Sequence, residues 1–139
     1  MRIALAIAAL IAGTTLAHAE GDLSRKCDEL PALVLGTDDA GYAVSQKSYK
    51  LVTGKCYALT IKSTGKKEYA LQGPVFFRNM WLRKVEAGGM EIKATHLVEL
   101  EYEDAAEAEI FFVPIVAGKS TLAAKGLEDK GVVIEFDVK

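Results

Sequence analysis

The sequence predicts an all-β domain, a sandwich or small barrel, with a short helix at its N-terminal end. Three observations carry this. Apolar and polar residues alternate with period two in short runs. Tyr57, Leu59 and Ile61 alternate with Ala58, Thr60 and Lys62, and Ile134, Phe136 and Val138 with Glu135, Asp137 and Lys139. Turn residues separate the runs at close spacing: Thr53-Gly54-Lys55, Gly65-Lys66, Gly73-Pro74, Gly88-Gly89 and Ala117-Gly118. From residue 41 onward every run reads as strand, so no alternation of strand and helix competes.

The elements follow in order. Residues 1–19 read as a cleaved secretory signal. Arg2 gives a positive start, residues 3–11 an apolar run, and Ala17-His18-Ala19 a small-x-small end. Cleavage is expected after Ala19, with Ala17 as the alternative. The run is too short, and too closely followed by charge, to span a bilayer. Residues 20–139 then form one exported domain, periplasmic or secreted, with no membrane insertion after cleavage. Residues 22–30 predict the helix: Asp22 can cap it, Leu23, Cys27 and Leu30 share one face, and Pro31 ends it. Strands are expected at 42–52 (two short ones), 56–62, 68–72, 76–86, 90–94, 96–103 and 108–116, and then on either side of a loop at 126–131.

Losing residues 1–19 removes one positive charge, Arg2, from a chain with 17 Lys+Arg against 19 Asp+Glu, so the net charge moves from −2 to −3. Nothing is basic enough for nucleic acid. The two cysteines, Cys27 and Cys56, form an even count in an oxidising compartment, which points to one disulfide. It would close about 30 residues and contribute roughly 3.5 kcal/mol on the chain-entropy account. The rival reading is a thiol pair for metal or redox work, but there is no Cys-x-x-Cys spacing.

The run CYALTIKSTGKKEYAL, ending at Leu71, resembles the cupredoxin strand that leads through a polar turn to a first histidine ligand. Residues 112–138 are similar to the closing strand–loop–strand of that family. Together they cover rather less than half of the exported chain. The resemblance implies a Greek-key sandwich or barrel. A type 1 copper site needs two His and a Cys thiolate, with a weak axial Met. Laid on this chain, the pattern puts the first His near Glu68, the Cys at Ala124, the second His at Leu127-Glu128 and the Met at Val132. None of the four residue types is there, so blue-copper electron transfer is not expected.

Once the signal is gone, His96 is the one remaining histidine, and no Gly-x-Ser-x-Gly motif accompanies it. No enzyme is expected. The carboxylates Glu99, Glu101, Glu103, Asp104, Glu107 and Glu109 lack calcium-loop spacing and read as a solvated strand face. Met80, Met90 and His96 beside Trp81 form a soft ligand inventory suited to Cu(I), similar to that of periplasmic copper chaperones. The same residue types also serve as core or core-edge residues, and Met80 and Trp81, being adjacent, point to opposite faces of a regular strand. Cleavage after Ala17 would expose His18 as a second route, a histidine brace completed by His96. The segment 74–81 supplies Phe76, Phe77, Arg78 and Trp81, which either fill the barrel end or bind a protein partner of the cell envelope. The leading expectation is therefore a non-enzymatic copper-handling protein. The alternative is a metal-free interaction module.

Overall fold

A computed structural model describes residues 26–139. The predicted signal, its cleavage site, His18 and the start of the predicted helix lie outside the described residues.

Two sheets face each other. The first contains β1 (Asp28–Glu29), β2 (Leu33–Leu35), β4 (Tyr57–Thr64), β6 (Met80–Ala87), β7 (Met90–Ile92) and β9 (Ala105–Pro114). Its order is β1-β4-β9-β6-β7, with β2 also on β4. The second runs β3 (Ser48–Leu51), β11 (Val133–Val138), β10 (Gly118–Ala124), β5 (Tyr69–Gln72), β8 (Glu99–Tyr102). The all-β expectation is met. The period-two pattern holds where it was clearest: Tyr57, Leu59 and Ile61 of β4 and Ile134, Phe136 and Val138 of β11 all enter the core.

Residues 28–29, expected as helix, are strand. They pair in parallel with Tyr57 and Ala58, and Asp28 N and Leu30 N donate to Cys56 O and Ala58 O at 2.9 Å. The free edge of β4 offers these partners, and tertiary pairing overrides a weak local preference. Pro31 has no N–H to donate. The same edge resumes beyond it as β2, which pairs with Ile61 to Ser63.

The strand expected over 76–86 is in part a helix. Pro74 opens α1 (Pro74–Arg78), and Gly73 O accepts from Phe77 N at 2.8 Å. Proline suits a first helical turn because its missing donor has no partner there. Phe76 and Phe77 are both buried. Two adjacent side chains can enter one core from a helix, whereas a strand would send one of them out. Phe76 stacks on Phe136 of β11 at 4.0 Å between centroids and meets Phe112 of β9 edge-on at 5.4 Å. It thus joins the two sheets. Tyr49 continues the stack on Phe136 at 5.3 Å. Gly73 is held to glycine by crowding, since a Cβ there would lie 2.9 Å from Thr121 O.

Elsewhere the differences are at element ends. Gly88 and Gly89, with φ of 56° and 77°, make the expected two-residue hairpin between β6 and β7. Residues 42–52 yield one strand, β3, plus a single bridge between Leu35 and Val44. The run 96–103 begins its strand only at Glu99.

Phe76→Ala should cost about 3–5 kcal/mol, as for a buried aromatic truncation. Val75→Ala, on the exposed side of the same helix, should stay within about 0.5 kcal/mol. Guanidinium denaturation measures both, and equal losses would contradict the plugging role of Phe76.

Candidate functional site

The expected copper ligands do not come together. Met80 opens β6 and is buried, at 7 % exposure. Met90 lies across the hairpin from Ala87, at the far end of β6, and is 63 % exposed. Seven residues of strand at about 3.3 Å each separate them by roughly 23 Å. One ion, with bonds of about 2 Å, cannot take both. His96 is exposed in the crossover between β7 and β8, outside the strand expected to carry it. Trp81 points away from Met80, is 46 % exposed and pairs with Val113. Among the described residues, no group of three or more His, Cys, Asp or Glu side chains is placed to hold a metal.

The positions that the cupredoxin resemblance assigns to a type 1 site do converge on one end of the sandwich. Ala124 ends β10, pairs with Leu71 and donates to Val132 O at 3.0 Å. Val132 donates to Leu127 O at 3.2 Å, and Lys125 N reaches Ala70 O. Ala124 and Val132 are fully buried alkyl side chains. They have no electron pair for a metal. The corner is packed core, and the residues present do not fit a type 1 copper ion. Neither cysteine can substitute, because Cys27 and Cys56 form a disulfide with Cα atoms 4.5 Å apart. The expected pairing is thus found.

The partner-binding set divides. Phe76 and Phe77 are core and cannot contact a partner, a correction to their expected role. Arg78 and Trp81 are exposed. The outward positions of β9 run from acidic to apolar: Glu107, Glu109, Phe111, Val113. Trp81 lies beside Val113, and Val113 packs on the disulfide and Ala58. Ile115 follows the strand and is also exposed. Outward positions of a sandwich sheet are usually polar, so this apolar half stands out. The sequence signal for it was present in Phe111, Val113 and Ile115 at spacing two, but read alone the run 111–115 is simply a buried strand.

The acidic half borders a cleft of about 470 Å³ lined by Glu86, Glu91, Glu107, Glu109, Met90 and the Gly88–Gly89 turn. Lysines pair with three of its four carboxylates, Glu86, Glu91 and Glu107. Lys84 bridges Glu86 and Glu91, Lys93 meets Glu91 at 2.7 Å, and Lys62 meets Glu107 at 2.7 Å. The hydrogen bonds from Lys93 and then Lys84 hold the Glu91 pKa down at about 2. On the other sheet, Glu101 is pushed above the usual carboxylate range. Its hydrogen bond with Glu68 is the main cause, then desolvation and the charges of Glu99, Glu68 and Glu103. Burial raises the hydroxyl pKa of Tyr49 and of Tyr102.

No family model matches the sequence, and no curated protein matches it. Solved structures do match in shape. A multi-copper oxidase from Pseudomonas thermotolerans superposes with a TM-score of 0.63 at 14 % identity, over 86 % of this chain and 31 % of that one. A copper nitrite reductase from Nitrosomonas europaea gives 0.57 at 11 % identity, over 83 % and 50 %. A multicopper oxidase from Campylobacter jejuni gives 0.57 at 12 % identity, over 83 % and 31 %. The fold is cupredoxin-like. This cupredoxin-like chain spans between about a third and a half of the length of those proteins. At such identities the likeness concerns the fold alone.

Glu101→Gln should raise the melting temperature at pH 7. A carboxyl whose pKa is raised by folding opposes folding when ionised, and that cost disappears as pH falls through its folded value. The gain should therefore vanish in acid, below the ordinary carboxylate range. Melting curves between pH 3 and pH 8 test this, and a gain that persists at pH 3 would contradict the carboxylate contact.

Proposed function

We propose that this is an exported, non-enzymatic cupredoxin-like domain that works without a type 1 copper ion, as a protein-interaction module. The observation that carries the reading is the exposed Trp81 at the centre of an apolar outer sheet face. Around it lie the exposed Ile115 and the half-buried Phe111, with Val113 buried beside the disulfide, at positions that solvent-facing sheets normally fill with polar residues. Aromatic side chains in such a patch are the usual anchors of protein interfaces. The buried alkyl corner at Ala124 and Val132 supports a metal-free reading. The disulfide is consistent with an oxidising compartment, and among the described residues no helix is long and apolar enough to cross a membrane. The surface left for a partner is narrower than the segment 74–81: it keeps Trp81 and Arg78 and adds β9.

Copper handling reduces to Met90 and His96, both exposed and six positions apart in sequence. Two donors on a surface loop make a weak site. Cu(I) and Zn(II) titrations of the exported protein should find no binding tighter than micromolar, with His96→Ala unchanged. Tighter binding abolished by His96→Ala would restore the copper reading. A photocrosslinking residue at position 81 should capture an envelope protein that the same residue at exposed position 98 does not. Equal capture at both positions would remove the interaction reading.

A further inference from the structure

β9 does not turn back within its own sheet. Residues 115–117 carry the chain across to β10 in the second sheet, forming an arch at the end of the sandwich that α1 closes. Ile115, Val116, Ala117 and Gly118 are all exposed, the two large side chains at 57 % and 47 %. A Cβ at Gly118 would meet nothing within 4 Å, so the turn stands open to solvent. A run of four exposed, uncharged residues is out of place on a soluble surface unless it has a use. The base of the arch is well held. Ile115 N donates to Asn79 O and Gly54 N to Pro114 O, both at 2.9 Å. The second bond brings the loop after β3 alongside, with Val52 exposed, and Trp81 stands two residues on from Asn79.

Basic residues ring this apolar tip. Lys50 and Lys55 flank the 52–54 loop, Arg78 precedes Asn79, and Lys119 follows the arch. Lys139 lies here too, its carbonyl accepting from Thr53 N at 2.8 Å. The carboxylates of this end all lie against lysines. Asp28 meets Lys55 at 2.6 Å, Glu135 meets Lys119 at 2.9 Å, and Asp137 is in register with both Lys119 and Lys50. The other end of β9 has the opposite character. Glu103, Asp104, Glu107 and Glu109 stand there, where Lys62 pairs with Glu107, about 30 Å of strand away from the arch. A negatively charged surface would attract the arch and repel the far end, which orients the approach.

An aliphatic tip ringed by long basic side chains suits a lipid surface. The arch is convex, and its exposed side chains offer no polar group to a specific protein partner. Lysine and arginine stems can lie along the tip while their charged heads reach the headgroups, and tryptophan favours the headgroup level. We propose that the 115–118 arch docks on an anionic phospholipid bilayer. Ile115, Val116 and Val52 enter the boundary between headgroups and acyl chains, and Lys50, Arg78 and Lys119 meet the lipid phosphates. The sandwich then stands on the bilayer with the acidic end of β9 directed away from it. This goes beyond the protein-binding reading of Trp81 and does not rest on it.

The test sediments the exported chain, residues 20–139, with vesicles of equal phosphatidylglycerol and phosphatidylcholine, and with vesicles of phosphatidylcholine alone. Binding to the anionic vesicles, weakened by added salt, is expected, with little on the neutral ones. Val116→Ser should weaken it about tenfold by removing aliphatic area, and Ile115→Ser gives the same reading if that variant does not fold. Lys50→Gln and Arg78→Gln should each weaken it about fivefold. Val116→Asp and Met90→Asp change the charge equally. Met90→Asp, at the far end of β6, should stay within about twofold of the unsubstituted chain while Val116→Asp abolishes binding. Brominated lipid should quench Trp81, the single tryptophan, in the unsubstituted chain and not in Val116→Asp. Absence of sedimentation with the anionic vesicles would overturn the proposal. So would equal losses in Val116→Asp and Met90→Asp, because binding would then follow net charge and not the arch. Self-association that Val116→Ser abolishes would assign the arch to a second copy of the chain and overturn it as well.

Discussion

Phe76 is the contact on which the arrangement depends. Its ring stacks on Phe136 from one sheet and meets Phe112 from the other, so a five-residue helix closes one end of the sandwich. The helix also sets the phase of the strand that follows. Asn79 caps α1 through bonds to Val75 O and Phe76 O, and β6 starts one residue later with Met80 inward. Adjacent strand residues face opposite ways, so Trp81 must face out. Burial of one residue pair thus decides that the thioether is core and the indole is surface. A ligand set that needs both side chains on one ion is incompatible with that phase.

The opposite end of the sandwich is closed by alkyl side chains. Ala124, Leu127 and Val132 meet where the resemblance to copper proteins would place metal ligands, and hydrogen bonds hold the loop between β10 and β11 closed over them. Its 3₁₀ turn, Glu128–Lys130, ends at Gly131 in the left-handed region. Alkyl packing fills the corner beneath the loop. Folds host many functions, and the site has to be argued from its own atoms. The atoms present here are apolar.

The outer face of the first sheet is where this chain departs from a plain sandwich. Along β9 it changes within a few residues from the carboxylates of Glu107 and Glu109 to the half-buried Phe111 and the buried Val113. Lys84 marks the boundary, reaching Glu86 and Glu91 while its ammonium lies 4.4 Å from the centre of the Phe111 ring. Cation–ring contacts of this kind let a charged side chain cover apolar area without losing water. Beyond that boundary Arg83, through a bulge in β6, comes within 3.7 Å of Cys27 Sγ and 3.9 Å of Cys56 Sγ.

The sequence by itself determined the sheet-forming runs, the hairpin at Gly88-Gly89 and the pairing of Cys27 with Cys56. Each rests on something local: a period of two, two adjacent glycines, or an even cysteine count. It determined also that no thiolate or imidazole stands at Ala124 or Val132. Tertiary structure alone decided that residues 28–29 are strand, because the free edge of β4 lies nearly 30 residues away in sequence. It decided that Phe76 and Phe77 enter the core together, since only the gap between Phe112 and Phe136 makes one helical turn preferable to extended chain. The distance between Met80 and Met90 was equally hidden: ten positions of sequence give no separation until the hairpin sets the second strand beside the far end of the first.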